Sequence, residues 1–198
     1  MLKLIIFDAD GVLVHNKRKF SITLAEKHGI PLETTLPFFT GQFQECLIGN
    51  LDLKEIIPPY LEKWGWDKGV DVLLDYWFSL ESKTDQKLIE YIQELRQKGI
   101  TCFLATNNEK HRFQYMMDKM GLQKVFDKTY ASAHLGHKKP NKEFFEKIYR
   151  ELDNIRKDEI LFVDDSSENI EGAKDFGIHT IFYKSFSGFK EKIHKYLV

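Results

Sequence analysis

Cysteine is almost missing from this 198-residue chain. Cys46 and Cys102 are far apart and neither has a C-x-x-C partner, which argues against a zinc site or a dithiol redox motif. Cys102, inside an apolar run, reads as a small buried hydrophobe. No uninterrupted apolar stretch approaches the length needed to cross a bilayer. The first apolar run is brief and meets Asp8 and Asp10 at once, so it lacks signal-peptide anatomy. Charge of one sign is absent too: 29 Lys and Arg face 30 Asp and Glu, for a net charge of −1 and no block of like charge. Nucleic acid and anionic membrane surfaces therefore have no electrostatic basis as main partners. The expectation is a soluble chain in a reducing cytoplasm. A composition that is 42% hydrophobic argues against disorder, and the length suits one medium domain, or a core domain carrying a smaller insertion.

What is present is organised around Leu4-Ile5-Ile6-Phe7-Asp8-Ala9-Asp10-Gly11. A β-branched, apolar run too short for a helix and stopped by a glycine predicts a buried strand ending in two aspartates. Carboxylates are tolerated there because the carboxyl ends of strands in an open α/β sheet face a crevice. Further buried-strand patterns occur at 100–105, running into Thr106-Asn107-Asn108, and at 160–163, running into Asp164-Asp165. Shorter ones are expected at 128–131 and 178–183. Helical periodicities separate them, with Thr84 expected to cap the helix through Leu88, Ile92 and Leu95. Such alternation predicts an α/β fold with a Rossmann-like parallel sheet covered by helices on both faces. Right-handed crossovers then gather Asp8, Asp10, Thr106, Asn107, Asp164 and Asp165 at one edge.

Composition shifts after the polar His15-Asn16-Lys17-Arg18 step. Residues 20–80 show helical patterns without a convincing strand, and Pro31, Pro37 and Pro58-Pro59 mark breaks or starts. An inserted all-helical cap of three to five helices is expected at 15–82, leaving 1–14 and 83–198 as the α/β core. Trp64, Trp66, Trp77, Phe38, Phe39 and Phe43 all fall in the insert and read mainly as its core, with 38–50 as an irregular lip around Gly41 and Gly49.

Four carboxylates at one edge repel unless a cation compensates them. A hard divalent cation with oxygen ligands suits them, magnesium best, because it takes one or two carboxylates together with water and substrate phosphate. A hydroxyl residue and the basic pair Lys138-Lys139 before Pro140 add the means to hold a phosphoryl group, whose transfer needs mainly positioning and charge neutralisation.

The chain resembles the haloacid dehalogenase superfamily of phosphatases through four motifs taken together. These are D-x-D-G-V at 8–12, the apolar run ending in Thr106-Asn107, Lys139-Pro140 with Phe144 downstream, and Val163-Asp164-Asp165. Its D-D-x-x-x-N form at Asp164, Asp165 and Asn169 is similar to the branch that holds sugar-phosphate phosphatases and the N-terminal domain of some epoxide hydrolases. The resemblance implies that Asp8 is the nucleophile and Asp10 the general acid and base. It implies that Thr106 and the Asn107 backbone hold phosphoryl oxygens and that Lys139 offsets charge. For the metal it implies Asp8, the Asp10 carbonyl and Asp165 as direct magnesium ligands, with Asp164 acting through water or as a supporting partner. Asn169 is expected to cap a helix or orient Asp165, and Lys138, His15 and His137 read as surface residues.

The function this implies is magnesium-dependent phosphate release from a small phosphorylated metabolite of the sugar-phosphate kind, in a monomer or homodimer. A phosphomutase keeps both aspartates and remains an alternative. A dehalogenase would lack the acid at position 10. A phosphorylation-controlled or phosphate-binding domain of the receiver type would place its acidic pair ahead of the acceptor aspartate and carry no helical insert.

Overall fold

A computed structural model describes residues 2–15 and 19–197; Asn16, Lys17 and Arg18 of the polar step lie outside the described residues. The first strand, β1, is Leu4–Phe7. Six helices follow: α1 (Phe20–His28), α2 (Leu32–Thr40), α3 (Gln42–Cys46), α4 (Leu53–Ile56), α5 (Pro58–Lys63) and α6 (Val70–Leu80). The remainder alternates: α7 (Gln86–Gln97), β2 (Thr101–Thr106), α8 (Lys110–Asp118), β3 (Lys128–Ala131), α9 (Ser132–Leu135), α10 (Lys142–Tyr149), β4 (Ile160–Asp164), α11 (Ser167–Phe176), β5 (His179–Phe182) and α12 (Phe186–Leu197).

Among the described residues the strands form one parallel sheet in the order β3-β2-β1-β4-β5. Strand direction of travel reverses beside β1: the chain goes first to β2 and β3, then returns to add β4 on the other side. A crevice opens at such a switch point, outside the carboxyl ends of the strands. Side-chain alternation supplies two cores from one sheet. Ile5, Phe7, Cys102, Leu104, Leu161 and Val163 pack on one face with α7, α8 and α12. Leu4, Ile6, Phe103, Ala105, Ile160 and Phe162 pack on the other with α10 and α11. With both faces covered, the central strands β1, β2 and β4 have no polar side, hence their continuous apolar runs, whereas the edge strands β3 and β5 begin on exposed Lys128 and His179.

The insert has its own core, in which Phe38, Trp64, Trp77 and Leu73 are buried with Phe20, Leu53 and Ile57. Trp77 stacks on Phe20 at 4.9 Å between ring centroids, and Phe38 lies edge-on to Trp64 at 5.5 Å. The six helices exceed the three to five expected because α3 and α4 are too short to show a full apolar period. The expected lip at 38–50 is mostly helical, with Gly41 separating α2 from α3.

Two linkers join insert and sheet side by side. Val14 and Thr84 form an antiparallel bridge, His15 N–H donates to the Lys83 carbonyl, and Asp85 N–H donates to that of Leu13. Thr84 is thus engaged in linker pairing and is not the cap of α7. That task falls to Asp85, whose carboxylate accepts from the Lys87 and Leu88 N–H groups.

Candidate active site

The acidic loop is shaped by its backbone. Past Phe7, Asp8 N–H still donates to Val163 of β4 at 2.9 Å. The chain then folds over the Ala9 carbonyl, which accepts from Leu13 and Val14 at 2.8 Å. Gly11 stands at φ +90°, and a Cβ placed there would fall 2.0 Å from an Asp165 carboxylate oxygen. Glycine here both permits the turn and leaves the space into which Asp165 lies.

Lys139 is the charge centre of the site. It is 2% exposed, and its Nζ lies 2.7 Å from Asp8 Oδ1 and 2.8 Å from Asp164 Oδ2. Its backbone is gripped by Asn107, whose side-chain oxygen accepts from Lys139 N–H and whose amide donates to the Lys139 carbonyl, each at 2.9 Å. The Asn107 side chain is thereby committed to placing the lysine, while its backbone remains at the sheet edge. Burial pushes the Asp8 carboxyl up to about 7; Lys139 opposes this, and the neighbouring Asp164 and Asp10 add to it. Burial alone would lower Lys139, but its two carboxylate partners more than reverse that and hold it above its ordinary value.

Asp8, Asp164 and Asp165 each present a carboxylate oxygen, and these atoms lie within 4.8 Å of one another. An all-oxygen set with two buried members and one exposed suits a hard divalent cation that keeps water and takes a further oxygen from a ligand. Asp164 is fully buried. Besides Lys139 it accepts from Ser166 N–H at 2.8 Å and from the Asn169 amide at 3.1 Å to each oxygen. Asn169 therefore orients Asp164, not Asp165, and the cap of α11 is Ser166. An amide at position 169 can donate to a buried carboxylate where another acid would only add repulsion.

The Asp10 carboxylate points elsewhere. Its Oδ2 accepts from Asn108 Nδ2 at 2.8 Å, and the same amide reaches Thr106 Oγ1 at 2.7 Å. Thr106 is 1% exposed and its hydroxyl keeps a donor for a bound oxygen. Beyond Asn108 lies Arg112, 3% exposed, with Nη2 at 3.8 Å from Asp10 Oδ1. Sequence reasoning singled out neither Asn108 nor Arg112. Both belong to the segment that follows β2, so the available signal was a second asparagine after Thr106-Asn107 and a basic residue one helical turn beyond it.

Several contacts fasten the insert to the sheet domain. Lys138 Nζ donates to Gln44 at 2.7 Å, and Gly49 approaches the Ala133 carbonyl too closely for any Cβ. Asp52, the cap of α4, pairs with Lys110 and lies 2.7 Å from His111 Nε2 on α8. Burial by itself would raise the Asp52 carboxyl, but hydrogen bonds from Lys110, His111 and Lys54 N–H outweigh it and hold it well below the usual carboxylate range. A depressed native pKa stabilises above the unfolded value of 3.8 and is lost as pH falls through the native one. Asp52→Asn preserves the helix cap and removes the charge. It is expected to cost about 1 kcal/mol at pH 7, the scale of a largely surface ion-pair cluster. The gap in thermal midpoint between wild type and variant should begin to narrow below pH 4 and go on narrowing as the pH falls further; a gap unchanged between pH 7 and pH 2 would show that the charge is not what binds the two parts.

His15 is exposed and faces Asp85 at 3.4 Å in the linkers, away from the acidic trio. A cavity of about 790 Å³ lies elsewhere too, between α7 and α12 beside Leu2 and Ile100 at the opposite ends of the strands. Size alone would point there; the convergent charged groups do not.

A Rossmann-like sheet with an aspartate trio and a buried lysine at its switch point places a ligand site outside the carboxyl ends of the strands. The chain belongs to the haloacid dehalogenase-like hydrolases, whose family model matches residues 5–183. It is 29% identical over 189 residues to D-ribitol-5-phosphate phosphatase of Bacteroides thetaiotaomicron, with 91% of each chain covered. It is 25% identical over 185 residues to phosphoglycolate phosphatase of Vibrio parahaemolyticus, covering 89% of this chain and 81% of the other. Among solved structures, a HAD family enzyme of Bacteroides thetaiotaomicron determined as a magnesium complex shares the fold. Its TM-score is 0.81 and its identity 23%, with 96% of this chain and 98% of that chain covered.

Proposed function

We propose that this chain is a magnesium-dependent phosphatase that releases inorganic phosphate from a small phosphorylated metabolite of the sugar or polyol type, through an aspartyl-phosphate on Asp8. The observation that carries the reading is Lys139, buried between Asp8 and Asp164 with the Asp165 carboxylate alongside. A single cation held among three acids leaves net negative charge, which suits a divalent ion and a phosphoryl group arriving together. D-ribitol-5-phosphate phosphatase and phosphoglycolate phosphatase, both relatives aligned along most of the chain, support a small phosphorylated metabolite as substrate, and the first of them supports the polyol type.

In this reading Asp8 attacks phosphorus and the leaving alkoxide takes a proton from Asp10. Asp10 then accepts a proton from the water that hydrolyses the phosphoaspartate. The Thr106 hydroxyl and the Asn107 N–H hold phosphoryl oxygens, and Lys139 offsets charge on Asp8 and on the group being transferred. Asp8, Asp165 and the Asp10 carbonyl would hold magnesium, with Asp164 supporting; when bound, the ion would neutralise charge on the transferring phosphoryl group. Residues 15–82 would act as a cap that excludes water and reads the leaving group, over a core of 1–14 and 83–198. Cytoplasmic placement and a monomer or homodimer complete the proposal; no helix among the described residues is long and apolar enough to cross a membrane.

A panel of phosphorylated sugars, polyols and carboxylates, assayed for free phosphate with magnesium and with chelator, tests it. Phosphate release that collapses on chelation is the expected result. An isomeric sugar phosphate in place of free phosphate would assign a mutase, and equal release after chelation would remove the metal.

A further inference from the structure

We propose that Arg112 is a positioning residue that ties the Asp10 carboxylate to the end of the inserted helical segment, so that the acid group is aimed for proton transfer only while that segment is seated as observed. The inference rests on the reading of Asp10 as general acid.

A guanidinium carries five donors, and burying it is costly unless they are used. At 3% exposure, Arg112 spends them on the return path from insert to core: Nη1 donates to the Phe78 carbonyl at 3.1 Å, and Nη2 to that of Glu81. The planar group also lies over the rings of Phe78 and Tyr115, at 5.6 and 5.9 Å. Among the described residues the carboxylate within ion-pair distance is Asp10, at 3.8 Å, beyond hydrogen-bond length; the Glu81 carboxyl, pushed up to about 7 by burial, also feels the guanidinium, which opposes that rise. Among the described contacts of Asp10, Oδ2 is bonded to Asn108 and Oδ1 faces the guanidinium across a small gap. Asn108 and the Arg112 backbone both belong to the segment that follows β2. The Arg112 guanidinium is bonded to Phe78 at the end of α6 and to Glu81 just past it, so a shift of that segment would move the carbonyls that hold it. A cap anchor needing no link to the chemistry would serve with its charge turned from the acidic loop; here Nη2, the nitrogen that donates to the Glu81 carbonyl, is also the one that faces Asp10.

The test uses the full chain and two aryl phosphates, 4-nitrophenyl phosphate and phenyl phosphate. Their kcat/KM values report phosphoryl transfer to the enzyme, and only the poorer leaving group depends strongly on a proton from Asp10. For Arg112→Met we expect kcat/KM on phenyl phosphate to fall about 30-fold, part of the 10²–10⁴ a general acid supplies, and that on 4-nitrophenyl phosphate about threefold or less. Inhibition by inorganic phosphate should be unchanged. Arg112→Lys, which keeps the cation but not the fork, should fall between. If the Met variant does not fold, the Lys variant is decisive by itself. Equal losses on both substrates in the folded variant would overturn the inference and leave Arg112 a structural anchor. Asp10→Asn run in parallel separates the two claims. If it too treats both substrates alike, the acid assignment is wrong; if it discriminates and the Arg112 variants do not, only the coupling is wrong.

Discussion

Asp8→Asn is expected to lower phosphate release by about 10⁴-fold or more, because it removes a nucleophile for which no neighbour substitutes. The substitution is nearly isosteric and leaves Lys139 paired with Asp164 at 2.8 Å, so the loop should stay folded and the loss should lie in kcat. Asp164 cannot take over, since both its oxygens are engaged by Lys139, Ser166 and Asn169 at the buried end of β4. Asp10 is aimed at Asn108 and Arg112 instead, where in this reading it serves proton transfer. The direct check is an acid quench during turnover of a ³²P-labelled substrate. Wild type should retain label on protein that hydroxylamine releases, as an acyl phosphate does, and Asp8→Asn should retain none. Turnover in the variant within tenfold of wild type would end the covalent mechanism.

Much of this arrangement could be read from residues in a line, for a physical reason. Strand ends are marked twice over, by an apolar run that must be buried and by a polar residue that cannot be. Asp8, Thr106 and Asp164 stand at such boundaries, and parallel topology brings them together. What sequence could not supply was direction. Asp8 and Asp10, two residues apart, look equivalent in an extended chain, yet the strand ends at Phe7 and the turn over Ala9 sends Asp10 towards Asn108 and Arg112. Asn169 was visible but its target was not, because the choice between Asp164 and Asp165 depends on where α11 starts, and Ser166 sets that start. Arg112 was hidden for a different reason. On a helix whose other face carries Phe113, Met116 and Met117, a basic residue reads as solvated, and only the return of the insert at Phe78 and Glu81 buries it.

Lys139→Met should be the most destabilising single change at the site. Replacing a whole buried ion pair with apolar groups is often neutral, but removing one partner strands the other, at about 3–5 kcal/mol. Here two acids are stranded, and in a chain of this size the thermal midpoint should drop by roughly 10 °C. Asp8 already stands at about 7 with the lysine present, because burial outweighs its partner. A carboxyl raised above its unfolded value of 3.8 favours the native state at low pH, and that contribution declines as pH rises through the native value. Without Lys139 the native value climbs further, so the deficit relative to wild type should be larger at pH 8 than at pH 5.5, where the proton stands in for the lost cation. Magnesium offers a second replacement for the charge and should recover part of the deficit at pH 8, whereas chelator should restore it. Thermal unfolding of both proteins at the two pH values, with and without magnesium, reads all four conditions. A deficit independent of both pH and magnesium would mean that the methionine merely packs badly, and that the lysine charge is not what allows Asp8 and Asp164 to share the end of the sheet.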